Sequence, residues 1–243
     1  MKETRPIDQD TWKTVLRTAF SIFQDFEARG VGTPPFSMGG GTVLMLRWKH
    51  RLSKDIDFFG YDAQWISMLS PRLNDATNVL ATKYVEQANG LKIVMPHGDI
   101  DFVVSGDVLR TVKREPFVFE GRTVELDPSA EILAKKMFYR AASFKARDVY
   151  DMSAALDLDP GAARLSIEAA APRHDLLRRR LQTLSEVPED QLLTEIVPYD
   201  RSLPHAKDMV RKVFGALGER SKALTKTTRT KPRTPNQGEG FER

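Results

Sequence analysis

Two aspartates alternate with apolar residues in the stretch Asp55-Ile56-Asp57-Phe58. On a β-strand, successive side chains point to opposite faces, so the two carboxylates would share one face while Ile56 and Phe58 enter a core. Two ionised carboxylates this close repel each other, and a divalent cation offsets the repulsion. Mg²⁺ prefers oxygen ligands and is usually held by one or two carboxylates plus substrate phosphates. The pair therefore predicts a Mg²⁺ site, with Mn²⁺ as an alternative.

A third carboxylate has the same setting, because Asp101 lies between Ile100 and Phe102. Adjacent strands lie about 4.8 Å apart, so Asp101 would join Asp55 and Asp57 if their strands are neighbours. Three carboxylates can hold two metal ions that clamp the attacking and leaving oxygens of phosphoryl transfer. We expect all three to be metal ligands, with general base as the other possible role of Asp101.

A glycine triplet, residues 39–41, lies between a short apolar run and a predicted helix. Backbone N–H groups in such a bend can approach an anion, and the N-terminus of the helix adds a favourable dipole. Thr42 would add a hydroxyl group. The segment between the glycines and the aspartate pair supplies positive charge for a triphosphate through Arg47, Lys49, Arg51 and Lys54. This arrangement predicts a phosphate-binding loop.

The elements that would position these residues form a mixed α/β front half and a helical back half. Apolar spacing predicts front-half helices over 11–29, 42–48 and 65–87, the last either continuous or broken near Pro71. It predicts strands over 36–38, 55–59, 91–95, 99–104, 117–119 and 123–126. The later helices are predicted over 129–144, 147–157, 173–185, 189–196 and 204–218. We expect an α+β fold with a mixed core (1–127), a helical lobe (128–219) and a basic, disordered tail (220–243).

The composition excludes several classes of protein. The 243 residues include no cysteine, which rules out disulfides, thiolate metal sites and a cysteine nucleophile. No run approaches the ~18 apolar residues of a membrane span, and the polar N-terminus does not resemble a secretory signal, so we expect a cytoplasmic protein. Residues 219–243 carry seven basic and three acidic side chains, and the difference between them equals the whole net charge of +4. That basic tail is consistent with nucleic-acid contact or with a solvated end.

The order Gly40-Gly41-Thr42, Asp-x-Asp and apolar-Asp-apolar resembles the DNA polymerase β nucleotidyltransferase superfamily. The string from His50 to Phe59, His-Arg-Leu-Ser-Lys-Asp-Ile-Asp-Phe-Phe, is similar to a narrower group, the AbiEii/MenT-like nucleotidyltransferase toxins of bacterial toxin–antitoxin systems. A second block, with Lys135-Lys136 on a helix and then Arg147-Asp148-x-x-Asp151, resembles the Lys-helix and Arg-Asp-x-x-Asp of that group. The two blocks span about residues 38–152.

The resemblance implies a bilobed cytosolic enzyme with a polymerase β-like core and a C-terminal helical lobe. It implies Mg²⁺ as cofactor, an NTP as substrate, the 3′ end of tRNA as acceptor, inhibition of translation, and a cognate antitoxin as partner. The catalytic residues carried over by position, together with the third aspartate, are Asp55, Asp57, Asp101, Lys136 and Asp148. The nucleotide-binding residues are expected to be Gly40, Gly41, Thr42, Arg51, Ser53, Lys136 and Arg147.

Other interpretations of the same residues remain open. The acceptor could be a hydroxyl group of a protein or of a small molecule, and a chain with a vestigial site would only bind RNA or an antitoxin. Ser53 is either a substrate contact or a site of regulatory modification. Asp148 and Asp151 could be a helix cap and a surface charge. The basic face formed by Arg173, His174 and residues 178–180 is either solvated or contacts an RNA backbone.

Overall fold

The computed structural model describes residues 8–200 and 202–229 of the chain, with side chains described up to residue 218. Seven strands form one mixed sheet in the order β3-β4-β5-β2-β1-β7-β6. The strands are β1 (Ser37–Gly39), β2 (Ile56–Gly60), β3 (Lys83–Gln87), β4 (Gly90–Val94), β5 (Asp99–Val104), β6 (Glu115–Phe119) and β7 (Arg122–Leu126).

The centre of the sheet combines parallel and antiparallel pairs. β2 pairs in parallel with β5 and antiparallel with β1, and β1 pairs in parallel with β7. The outer pairs, β3–β4, β4–β5 and β6–β7, are antiparallel.

Ten α-helices are assigned in the described part of the chain: α1 (Thr11–Ala28), α2 (Gly40–Trp48), α3 (Gln64–Leu69), α4 (Asp75–Leu80), α5 (Ser129–Tyr139), α6 (Ala146–Leu158), α7 (Pro160–Ala169), α8 (His174–Ser185), α9 (Glu189–Leu193) and α10 (Ala206–Arg229). The predicted α+β class is confirmed.

One face of the sheet packs against α1 and forms the main core. Alternation along β2 and β5 buries Ile56, Phe58, Ile100 and Phe102 completely. The ring of Phe23 on α1 lies 5.2 Å from the ring of Phe58, centroid to centroid. The opposite face of the same two strands carries the aspartates and remains partly open. The period of two therefore separates core residues from candidate site residues, as the sequence predicts.

The prediction of a helix over 65–87 is wrong for its last residues, whereas the break considered near Pro71 is present. Two one-turn helices, α3 and α4, are separated by a turn at Ser70-Pro71, and the side chain of Asn74 caps α4 by accepting a hydrogen bond from the backbone N–H of Thr77. The last five residues form β3, which pairs antiparallel with β4 along its whole length. The backbone hydrogen bonds to β4 stabilise β3 as a strand, and the local sequence of β3 does not indicate this pairing.

The back half is helical, with three differences from prediction. α5 ends at Tyr139 and a short 3₁₀ turn, Ala141–Ser143, follows it. α7 was not predicted; Asp159 caps it and Pro160 occupies its first turn. α10 continues through Arg229, so the first ten residues of the predicted tail are helical, whereas 230–243 lie outside the described residues. Within the described part, no helix has an apolar stretch long enough to cross a bilayer.

Candidate active site

Four residues form a straight row across the open face of the sheet. Gly39 on β1 is in register with Asp57 on β2, Asp57 with Asp101 on β5, and Asp101 with Lys92 on β4. Neighbouring positions in such a row are about 5 Å apart, which places the two carboxylates side by side. The predicted adjacency of the strands carrying Asp57 and Asp101 is therefore present.

The glycine bend fits closely under this row. Gly40 has a φ of +70°, a left-handed conformation that favours glycine, and a Cβ atom there would overlap the carboxylate of Asp57. A Cβ atom on Gly41 would lie 2.6 Å from Nη2 of Arg51. α2 thus begins directly against the acidic row because both positions lack side chains.

Asp57 carries excess negative charge. Burial, and then the nearby negative charge of Asp101, raise its pKa to about 6. Among the described residues, no side chain donates a hydrogen bond to the Asp57 carboxylate. The charges of Arg140 and Lys136 oppose the shift without bonding to the carboxylate, so an ionised Asp57 has no directly bonded cation among the described residues.

The other two candidate metal ligands already have partners. Asp55 Oδ1 accepts a hydrogen bond from the backbone N–H of Asp99 at 3.0 Å. Lys92 Nζ lies 2.9 Å from Asp101 Oδ2 and 2.7 Å from Asp99 Oδ2. Burial raises the pKa of Asp101 even though Lys92 opposes the shift. These contacts hold the acidic residues in place on the cleft side of the sheet.

The predicted three-carboxylate metal set is not preformed. All three aspartates border the same cleft, yet within the described part of the chain no three acidic, histidine or cysteine side chains are grouped as a metal site. Asp57, which no side chain among the described residues hydrogen-bonds, and Asp55 nearby suit a cation that takes its remaining ligands from substrate oxygens and water, as Mg²⁺ commonly does.

The cleft has a volume of about 560 Å³ and is lined by the acidic row and by basic side chains from both halves of the chain. The basic lining residues are Arg51, Lys92, Lys135, Lys136, Arg140, Lys145 and Arg147. Four of them form close ion pairs with carboxylates. Of the remaining three, Arg140 has one contact, at 3.9 Å from Asp148, and Lys145 and Arg147 have no ion pair among the described residues. These three side chains leave positive charge available for a ligand.

A buried ionic network behind the cleft centres on Asp151. Arg51 binds its carboxylate through two nitrogens, Nε at 2.6 Å and Nη2 at 2.9 Å, and Lys136 Nζ lies 2.9 Å away. His50 Nε2 lies 2.7 Å from the same carboxylate. Burial opposes ionisation, but the charges of Arg51 and Lys136 hold the pKa of Asp151 well below its usual range. The network joins the segment after α2 to α5 and α6.

Asp148 completes this network from the first turn of α6. Its Oδ1 lies 2.6 Å from Lys136 Nζ, and its Oδ2 accepts a hydrogen bond from the backbone N–H of Lys145. Lys136 and Arg140 lower the pKa of Asp148 against the effect of burial. Lys136 is thereby held between two carboxylates, with its side chain at the cleft wall.

Comparison with known proteins agrees with this geometry. The sequence model of the family described as "Nucleotidyl transferase AbiEii toxin, Type IV TA system" matches residues 24–230. The chain belongs to the AbiEii nucleotidyltransferase toxin family. The sequence resemblance is confirmed, and the match covers both the acidic row and the helical half.

One solved structure of a nucleotidyltransferase toxin has a fold similar to that of this AbiEii family member. The nucleotidyltransferase toxin MenT4 from Mycobacterium tuberculosis H37Rv superposes with a TM-score of 0.50 at 16% identity, over 88% of this chain and 86% of that one. An antigenic nucleotidyltransferase-like protein from Paracoccidioides brasiliensis gives a TM-score of 0.43 at 15% identity, over 79% of this chain and 100% of that one. A search of curated proteins finds no match.

The cleft brings together most of the residues that the AbiEii-like motifs single out. Those that line it are Gly40, Gly41, Arg51, Ser53, Asp55, Asp57, Asp101, Lys136 and Arg147. Thr42 and Asp148 are instead fully buried behind it. The Thr42 hydroxyl donates to the backbone oxygen of Asp55 at 2.6 Å and lies 3.0 Å from Ser53 Oγ. Both residues therefore support side chains of the cleft in this structure.

Sequence reasoning missed several members of the site. Lys92, Arg140 and Lys145 line the cleft. Asp151 does belong to the Arg-Asp-x-x-Asp motif, and it anchors the buried network instead of lying at the surface as a solvated charge. Arg47, expected to offer charge to a triphosphate, binds the backbone oxygen of Asp127 and the Ser129 hydroxyl. Lys92 lies beside Asp101 only because β4 and β5 pair in this register. The sequence around Lys92 therefore contains no local signal for its place in the site.

Proposed function

We propose that this chain is a Mg²⁺-dependent enzyme that transfers an NMP from an NTP to the 3′-terminal hydroxyl of tRNA, and thereby inhibits translation. The observation that carries the proposal is the cleft itself, which the row of Asp57 and Asp101 shares with Arg140, Lys145 and Arg147, three basic side chains without a close ion pair among the described residues. Such a pairing of signs suits a substrate whose phosphates bind both a cation and basic residues.

The basic wall would orient the triphosphate. Arg140, Lys145 and Arg147 can each donate to phosphate oxygens without giving up a close carboxylate partner. The N-terminus of α2, bare of side chains at Gly40 and Gly41, allows backbone N–H groups to approach the same anion. These groups would fix the α-phosphorus near the acidic row.

The transfer itself forms a bond between the acceptor oxygen and the α-phosphorus and breaks the bond from that phosphorus to the pyrophosphate oxygen. The acceptor hydroxyl loses its proton, and Asp101 can take it because burial raises the pKa of its carboxyl. Pyrophosphate leaves with the electron pair of the broken bond. Lys92 would keep the Asp101 carboxylate aimed along the row.

Asp55 and Asp57 are the residues that would hold Mg²⁺. When bound, the ion would neutralise charge on the triphosphate and lower the pKa of the attacking hydroxyl. The raised pKa of Asp57 supports this assignment, since an incoming cation removes the repulsion that burial and Asp101 create. Asp101 could also contribute an oxygen once Lys92 releases it.

Family membership supports the antitoxin part of the proposal, whereas the tRNA acceptor is proposed from charge. As a member of a toxin family, the chain would act in the cytoplasm and be controlled by a cognate antitoxin. A tRNA acceptor is itself a polyanion, and exposed basic side chains such as Arg179 are available outside the cleft.

The test is incubation of the protein with each labelled NTP, Mg²⁺ and total tRNA. We expect label on tRNA from the wild type and none from Asp55→Ala or Asp57→Ala, while Asp190→Ala, which alters an exposed aspartate outside the cleft, behaves as the wild type. Label on proteins or small hydroxyl compounds but not on tRNA would change the acceptor. Undiminished transfer by both Asp55→Ala and Asp57→Ala would refute the proposal that this cleft catalyses the transfer.

A further inference from the structure

The cleft extends along the sheet beyond the acidic row. Phe59 follows Asp57 by two residues and Val103 follows Asp101 by two, and these residues are in register with each other. Ser105 comes two residues further on. Side chains two residues apart point to the same face and lie about 6.6 Å apart, so the open face changes from acidic to apolar to polar within about 13 Å. All three residues line the cleft.

Ser105 ends this strip with an unused hydrogen-bonding group. Its Oγ is buried and has no hydrogen-bond partner among the described residues, and it is the one such orphaned atom there whose residue lines the cleft. The backbone N–H of Ser105 donates to the oxygen of Gly60 at 3.0 Å, which fixes the position of the residue. A buried hydroxyl without a partner is costly, and rotation about χ1 can redirect it toward a ligand.

Tyr139 provides an aromatic wall beside the same end of the strip. Its side chain lines the cleft although the residue is 53% exposed. Its hydroxyl donates to the backbone oxygen of Gly106 at 3.0 Å, next to Ser105, so the ring is held rather than free to swing. Asn89, at the turn between β3 and β4, adds an exposed amide to the lining.

We infer that this strip is the subsite for the nucleobase of the NTP. A planar heterocycle with a polar edge matches a floor of Val103 and Phe59, a fixed aromatic ring and an unpartnered hydroxyl. Lys135 Nζ lies 4.3 Å from the centroid of the Phe59 ring and adds a positive charge beside that floor. Tyr139 stacks on the base, and Ser105, with Asn89, reads its hydrogen-bonding edge. The inference rests on the proposed function and deepens it, because these residues would decide which NTP is used.

The test measures binding by calorimetry on the full chain with Mg²⁺, without acceptor, for each of the four NTPs and for inorganic tripolyphosphate. Tyr139→Ala should weaken binding of the preferred NTP about tenfold, whereas Tyr139→Phe should retain it. Neither change should alter binding of tripolyphosphate, which lacks a base. The control is Tyr84→Ala, which removes a tyrosine that is 40% exposed on β3 outside the cleft.

Ser105→Ala gives a second, independent readout. Loss of one hydroxyl should change the ratio of affinities among the four NTPs by about fivefold, with thermal unfolding unchanged. Unaltered NTP affinities in both Tyr139→Ala and Ser105→Ala would overturn the inference while leaving the proposed function intact. Weakened binding of tRNA without any effect on NTPs would assign the strip to a base of the acceptor and likewise overturn it. A wild type that binds no NTP would instead refute the proposed function, and the inference with it.

Discussion

Asp57 and Asp101 are directly opposed, in register, on the adjacent parallel strands β2 and β5. Between two such neighbours there is no room for a third strand or a long side chain to separate the charges. Gly40 approaches Asp57 from one side and Lys92 approaches Asp101 from the other. The protein thus balances the charge of one carboxylate with its own lysine and leaves the charge of the other to a ligand.

Replacing Asp57 with asparagine should separate activity from stability. Transfer should fall by about 10³-fold, because a cation ligand is lost. The folded protein should nevertheless become more stable at pH 7 by roughly 2 kcal/mol, since the pKa of Asp57 is raised to about 6 and its ionised form costs folding free energy. Labelled-NTP transfer and urea unfolding measure the two effects. Equal losses of activity and stability would contradict the assigned role.

The affinity for a divalent cation should increase with pH. Because Asp57 has a pKa of about 6, the proton competes with the metal below that value. Mn²⁺ titrated into the wild type without NTP should bind about tenfold more weakly at pH 5 than at pH 7. Asp57→Asn should show weak binding at both values. An affinity that does not change between pH 5 and pH 7 would exclude Asp57 as a ligand.

The buried network should fail in acid and on truncation. The pKa of Asp151 is depressed in the folded state, so its ionised form contributes stability above about pH 4 that is lost as the pH falls through the folded pKa. Asp151→Ala leaves Arg51 and Lys136 without their shared partner and should cost about 3–5 kcal/mol. Unfolding in urea at pH 7 and pH 3 measures both effects. A variant as stable as the wild type would show that the network does not stabilise the fold.

Arg140 and Arg147 should affect substrate binding and not the fold. Neither has a close carboxylate partner among the described residues, so Arg140→Ala or Arg147→Ala should change stability by less than about 0.5 kcal/mol. Each should raise the KM for NTP about tenfold through the loss of a charged hydrogen bond. Arg164→Ala, on an exposed face of α7, is the matched control. Unchanged KM values would place the triphosphate elsewhere in the cleft.

Sequence patterns identified what is local and missed what depends on register or packing. Asp55 and Asp57 could be assigned to the open face because the period of a strand spans only two residues. Lys92 reaches Asp101 only because β4 pairs with β5. Asp151 is buried against Arg51, which lies 100 residues earlier in the chain. The sequence predicts a helix at β3 because apolar and polar residues do not alternate there. β3 is an exposed edge strand, so neither of its faces needs to be apolar. Each of these features is settled by tertiary contacts.

Lys92→Met tests whether the lysine and a cation compete for the same carboxylate. Lys92 Nζ bridges Asp99 and Asp101, so its removal leaves Asp101 beside Asp57 without its directly bonded cation. The field at the row becomes more negative, and Mn²⁺ binding without NTP at pH 7.5 should strengthen about fivefold. Lys92→Arg keeps the positive charge and should retain the wild-type affinity. If Lys92→Met binds Mn²⁺ no better than Lys92→Arg, the cation lies too far from Asp101 to sense its charge. In that case Asp101 can act as a base but not as a metal ligand.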